Sequence, residues 1–179
     1  GGQPSQKAFE SALAAAMVAL DPGRPVVVEA ESPKIGERLV PPALWEAMKA
    51  APRIEIAAPL QARAAYLARV YGDMAEDRET FAAVLGRLRP YHPGERIAGW
   101  QELLATGRLE TLAGQLMAEH YDPRYVRQRA RMTGRVSAVV AAPRLDPDGL
   151  ADAARGVVRA VEQALRPDGR PGALPPDPR

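Results

Sequence analysis

The sequence predicts an α/β fold built on a parallel sheet, and three observations lead there. Residues 26–28 are three consecutive valines in an apolar run bounded by Pro25 and Pro33, which reads as a buried parallel strand. Residues 53–57, Arg-Ile-Glu-Ile-Ala, alternate like a second short strand. Helical periodicity surrounds both runs, so the first 71 residues read helix, strand, helix, strand, helix. That alternation calls for parallel strands joined by crossover helices.

The elements follow in order. Ser5 is placed to cap a helix whose Phe9, Leu13, Met17 and Leu20 recur on one face and which ends before Asp21-Pro22-Gly23. After the strand at 26–31, Pro41-Pro42 opens a second helix lined by Leu44, Trp45 and Met48, and Pro52 stops it. Pro59 begins a third, with Leu60, Ala64, Leu67 and Tyr71 inward. From about 77 to 120 there is no strand signal. Three helices are expected there, around Phe81 to Leu88, Ile97 to Leu104 and Leu109 to Leu116, with a small core around Trp100. Residues 136–141 read as a third strand. Asp146 and Pro147 open a last helix with Leu150, Ala154, Val157, Val161 and Leu165 inward. Residues 166–179 carry five prolines and two glycines and are expected to be disordered. The domain plan is therefore 1–165, with a helical insertion at 72–125, and a Pro-rich tail at 166–179.

The totals narrow the function. With 179 residues, the chain can bury one sizeable core. There are no cysteines, so it has no disulfide, thiolate metal site or cysteine nucleophile of its own. No apolar run approaches the roughly 20 residues of a membrane span. No secretion signal is visible, and a cytoplasmic location is expected. Net charge is only +2, and the basic residues are nearly all arginine, with lysine at positions 7, 34 and 49 alone. The first residues read as a loop entered from elsewhere, and the missing initiator methionine suggests a fragment or a processed chain.

Four groups of residues are candidates for chemistry. Glu29 and Glu31 end the valine strand and would point the same way, able to position Mg²⁺ or water near phosphates; the plainer reading is solvent-facing acids. Ser32, Lys34 and Gly36 follow in a loop, where lysine binds phosphate and glycine admits close backbone approach; an ordinary surface turn is the alternative. Gln3, Gln6 and Lys7 sit at the start of the first helix, whose free N–H groups favour anions; a solvated lysine would look the same. Residues 121–135 carry five arginines against one acid, beside Tyr121 and Tyr125, as suits a nucleic-acid backbone with unpaired bases or simply a solvated helix face. No Gly-x-x-x-x-Gly-Lys-Ser/Thr loop occurs. His92 and His120 are 28 residues apart without ligand-like partners, so no metal centre is expected.

An ordered series of motifs resembles one family. Gln3-Pro4-Ser5-Gln6-Lys7-Ala8-Phe9-Glu10-Ser11 is followed by Val28-Glu29-Ala30-Glu31-Ser32 with Lys34-Ile35-Gly36. Next come Pro42, Trp45 and Met48, then Ala51-Pro52-Arg53-Ile54-Glu55 with Ala58-Pro59-Leu60 and Arg63. Tyr121-Asp122-Pro123 with Tyr125 completes it. Over roughly residues 3–165 this resembles the carboxyl-terminal domain of tRNA 2-selenouridine synthases. His92-Pro93-Gly94-Glu95 stands where that family carries a Gly-Lys element, and His120 replaces a tyrosine.

The resemblance implies a three-layer P-loop kinase-like parallel sheet, truncated at its amino end and carrying a helical insertion. It implies a tRNA-modifying enzyme that replaces the sulfur of wobble 2-thiouridine by selenium through an S-geranylated intermediate. Its co-substrates would be geranyl diphosphate and selenophosphate, with room for Mg²⁺. The partners would be tRNA and, within the same protein, a rhodanese-like domain and a P-loop that precede this part; without them the chain is expected to be inactive. On this reading Glu29 or Glu31 orients metal or water. Gln6, Lys7, Ser32, Lys34, Gly36 and Arg63 meet phosphate. Tyr121, Arg124, Tyr125, Arg127, Arg129 and Arg131 meet tRNA. The rivals are a fragment of a small-molecule kinase or NTPase and a non-catalytic tRNA-binding module.

Overall fold

The computed structural model describes residues 2–72 and 77–164. The expected disordered tail at 166–179, and Leu165, lie outside the described residues. The chain divides into two compact units: Gly1–Pro52 with Arg131–Arg135, and Arg53–Ala130 with Val136–Arg179.

In the first unit, α1 (Gln6–Val18) starts where expected, with Ser5 Oγ accepting the Ala8 N–H at 3.2 Å. A short antiparallel hairpin follows, β1 (Lys34–Ile35) against β2 (Arg38–Leu39). Gly36 turns it at φ +60°, a left-handed conformation suited to glycine. Helix α2 (Pro42–Ala50) opens on its proline pair. Residues 131–135 return beneath its end: the N–H groups of Thr133 and Gly134 both donate to the Lys49 carbonyl, at 3.0 and 2.8 Å. A side chain on Gly134 would meet the Ala51 carbonyl oxygen at 1.8 Å, so the return needs glycine there.

The predicted strand at 26–31 is not formed. Val26, Val27 and Val28 are 56, 65 and 55% exposed, in an extended segment outside any ladder. A run of valines becomes a buried strand only where paired neighbours and covering helices exist. In this unit the one ladder closes between β1 and β2.

In the second unit, β3 (Arg53–Ala57) and β4 (Val136–Ala141) pair in parallel, with a register shift after Arg53. This confirms the α/β class and both strand predictions, as a two-stranded sheet rather than three layers among the described residues. Helix α3 (Leu60–Val70) follows β3, with Ala64 buried. Helices α4 (Arg78–Gly86), α5 (Gly94–Ala105) and α6 (Leu109–Leu116) stand where periodicity put them. Their core is the expected one: Trp100 is fully buried among Leu85, Ile97, Leu103, Leu104 and Leu112. A π-turn, Met117–Tyr121, leads without a break into α7 (Asp122–Arg129).

Helix α8 (Pro147–Ala164) starts as predicted, with Asp146 Oδ1 accepting the Gly149 N–H at 2.7 Å. Its inward face overlaps the predicted one only in part: Val157 and Val161 are half-buried as expected. Leu150 and Ala154 are exposed, while Gly149, Ala153 and Ala160 are buried. The cause is close approach: a Cβ on Gly156 would lie 2.7 Å from Val140 of β4. At this closest approach only small side chains fit between the helix and the sheet, while Leu150 and Val158 turn outward.

Candidate functional site

The second unit holds a cavity of about 470 Å³, and its walls follow from the helix pattern. Leu67 comes from α3, Phe81 from α4, and Leu112 and Leu116 from α6. An unbroken α-helix from α6 would carry the inward line on to residue 120. The π-turn adds a residue per turn, so Met117, Tyr121, Asp122 and Tyr125 reach the cavity while His120 is turned away and buried. Such turns concentrate at functional sites because they re-aim side chains at the cost of one regular hydrogen bond.

Arg63 on α3 and Asp122 at the start of α7 form the polar part of the lining. Nη1 donates to Oδ1 at 2.7 Å and Nη2 to Oδ2 at 2.8 Å, a bidentate pair spanning 59 residues. The hydrogen bonds from Arg63 hold the Asp122 carboxyl below the ordinary carboxylate value, and Asp122 raises the guanidinium in turn. Arg63, a cation in the first turn of α3, depends on its partner. The rest of the wall is apolar or aromatic, so the site suits an uncharged hydrocarbon group.

Helix α7 presents the arginines of the predicted basic segment. Arg124 lies 4.4 Å over the Tyr91 ring, Arg127 is exposed, and Arg129 Nη1 is 3.9 Å from Glu55 Oε2. Tyr121 and Tyr125 face the cavity and remain partly open to solvent. Arg131 belongs to the first unit.

The remaining candidates also lie in the first unit. Gln6 engages β2 with both ends of its amide: Nε2 donates to the Leu39 carbonyl at 2.8 Å, and Oε1 accepts the Leu39 N–H at 3.0 Å. Gln3 does the same across the turn, to Ile35 and Glu37. The two side chains act as a surrogate strand that fastens the hairpin to α1. Ser32 Oγ accepts the Lys34 N–H at 3.0 Å, which shapes the approach to Lys34. Lys7 and Lys34 are exposed, as are Glu29 and Glu31. The two acids therefore lie in an irregular segment rather than side by side on a strand. Among the described residues no cluster could hold a metal ion.

Sequence reasoning missed the partnership of Arg63 with Asp122, the cavity, and the contact of His92 with His120. None leaves a local signal, because each joins residues far apart in the chain.

The sequence profile described as the tRNA 2-selenouridine synthase AAA domain matches residues 1–91. The chain belongs to this family. Its members include the tRNA 2-selenouridine synthase of Chromohalobacter salexigens, 34% identical over 147 residues, a match covering 68% of this chain. The chain spans 40% of that synthase's length. No solved structure matches the chain. The profile covers the Gln3–Gln6 clamp, the hairpin and α3 with Arg63, so these lie in the matched domain. No helix among the described residues is long and apolar enough to cross a membrane.

Proposed function

We propose that this chain is part of a tRNA 2-selenouridine synthase and that its cavity receives the geranyl chain. The reaction replaces the sulfur of wobble 2-thiouridine by selenium: the sulfur is geranylated from geranyl diphosphate, and selenium from selenophosphate then replaces the S-geranyl group. The observation that carries this reading is the cavity, apolar on most sides with one neutral Arg63–Asp122 pair. A branched hydrocarbon chain needs such a lining, and a nucleotide or sugar would leave its polar groups unpaired there.

Arg124, Arg127 and Arg129 on α7 fit the tRNA backbone, with Tyr121 and Tyr125 offering rings for an unpaired base. Arg131, in the first unit, is a separate candidate for contact with the tRNA backbone. Lys7, Lys34, Ser32 and the Gly36 turn fit a phosphate group at the hairpin. Gln6 serves that site by holding the hairpin, and Glu29 or Glu31 would orient Mg²⁺ or water there. The wider protein would form a three-layer P-loop kinase-like sheet in the cytoplasm, with a rhodanese-like domain and P-loop supplying the missing chemistry. The chain alone is expected to give no selenium transfer.

The test is calorimetric titration of geranyl diphosphate into the chain and into Ala113→Trp, which fills the cavity. Binding by the first and at least tenfold weaker binding by the second are expected. Equal affinities would refute the assignment.

A further inference from the structure

His92 and His120 have no part in the site so far. His92 Nε2 lies 2.9 Å from His120 Nδ1. Only one of these nitrogens can carry the bridging proton, since the other must supply the lone pair. Rings enclose the pair. Trp100 meets His92 edge-on at 4.8 Å between centroids, and Tyr91 and Tyr121 meet His120 edge-on at 5.7 and 5.0 Å. His120 is 5% exposed.

The charged groups around the pair are few. Arg124 on α7 reaches over Tyr91, and its charge disfavours a proton on His120. Arg96 on α5 binds Glu119 of the π-turn at 2.9 Å, so that carboxylate is already neutralised. Burial is the largest influence and also keeps His120 neutral, below the ordinary histidine value.

His120 lies inside the π-turn whose first and last residues, Met117 and Tyr121, line the cavity. Whatever holds His120 therefore holds that wall. We infer that the His92–His120 hydrogen bond is a proton-sensitive latch that fixes Met117 and Tyr121 and releases them when both rings become charged. Its meaning for ligand binding rests on the cavity reading above.

The proton count gives the behaviour. With both rings neutral, one N–H donates to the other's lone pair. With one added proton, the charged ring donates and the bond persists. With two, an N–H faces an N–H, no acceptor remains, and two positive charges stand with ring centroids 5.1 Å apart. The bond is then lost.

The experiment follows the Met117 methyl and Tyr121 ring signals by NMR while both histidines are titrated in the full chain. In the unaltered chain those signals should shift as the second ring takes up its proton. In His92→Gln, whose amide can donate or accept without titrating, the Met117 methyl should keep its neutral-pH position and the Tyr121 ring should show only the small shift imposed by charge on His120 at 5.0 Å. In His92→Phe, which keeps the ring packing but removes the bond, they should take the acid-form positions already at pH 7.5. Signals that stay unmoved in the unaltered chain while both rings charge would overturn the latch. A geraniol titration at each pH separates the two readings, because geraniol itself does not ionise. If geraniol binds, its affinity should fall at least fivefold with the second proton, and an unchanged affinity would overturn the coupling. If it binds at no pH, the cavity reading fails, and the Met117 and Tyr121 signals still decide the latch.

Discussion

Arg63 and Asp122 face one another through two parallel hydrogen bonds of 2.7 and 2.8 Å, each side chain about one-third exposed. This pair ties the first turn of α3 to the start of α7 at the cavity's polar edge. Asp122→Ala should lower stability by about 1–3 kcal/mol, since it strands a partly buried guanidinium. Arg63→Ala should cost about as much, and Arg63→Lys should recover only part of that second loss, because lysine lacks the planar fork. Urea denaturation of the three variants against the parent measures both.

The pH dependence follows from two lowered values. His120 is held neutral in the fold, so the unfolded chain binds more protons below the ordinary histidine value of 6.5. Stability should therefore fall as the pH drops from about 6.5, down to the folded value of His120. Asp122 has its carboxyl lowered from an ordinary 3.8, so its contribution is present above that value and is lost as pH falls through the folded one. Thermal unfolding from pH 7.5 to 3 should show two declines, the lower one reduced in Asp122→Asn. Stability that rises between pH 6.5 and 5 would contradict the first.

Gly36 and Gln3 make a tight pair in the first unit. A Cβ at position 36 would lie 2.0 Å from Gln3 Nε2, at a φ of +60°. Gly36→Ala should cost about 1–2 kcal/mol from backbone strain alone. It should also speed hydrogen exchange at the Leu39 N–H, which Gln6 holds. Unchanged exchange would show that the clamp is not needed for the hairpin.

How far the sequence could be read depended on how local each decision was. Helices α2, α4, α5 and α6 and strands β3 and β4 follow from prolines, caps and periodicity within a few residues. The Trp100 core follows too, because three neighbouring helices each supply an apolar face. The valine run at 26–28 misled because burial is decided by neighbours, and its β-branched residues specify extension without a partner. On α8 the inward face was read only in part, with Val157 and Val161 placed correctly and Leu150 not, because large apolar residues usually mark such a face. Here the closeness of Val140 requires a small residue at Gly156, and the Arg144 carbonyl requires one at Gly149. In the candidate site, the arginines of α7 were legible as a charge run. Arg63 with Asp122, and His92 with His120, were not, since 59 and 28 residues separate them.

That reading of α8 separates two substitutions. Gly156→Val should destabilise by about 1–3 kcal/mol, because the added carbons meet Val140. Ala154→Leu, on the exposed side, should change stability by less than about 0.5 kcal/mol. Comparable losses from both in urea denaturation would restore the face first read from the sequence.

Arg127 is exposed on α7 and free to meet a phosphate in the proposed tRNA interface. Arg127→Gln should weaken tRNA binding and reduce the slope of log affinity against log salt by about one. Filter binding across a salt series reads both quantities. An unaltered slope would leave the arginines as a solvated face.

The seat of the geranyl chain is the central claim. Intermolecular NOEs between bound geranyl diphosphate and the protein test it most directly. Contacts are expected from the geranyl methyl groups to the Met117 methyl and to Leu112 and Leu116. Bound ligand whose methyl groups show contacts only to residues outside this cavity would contradict it.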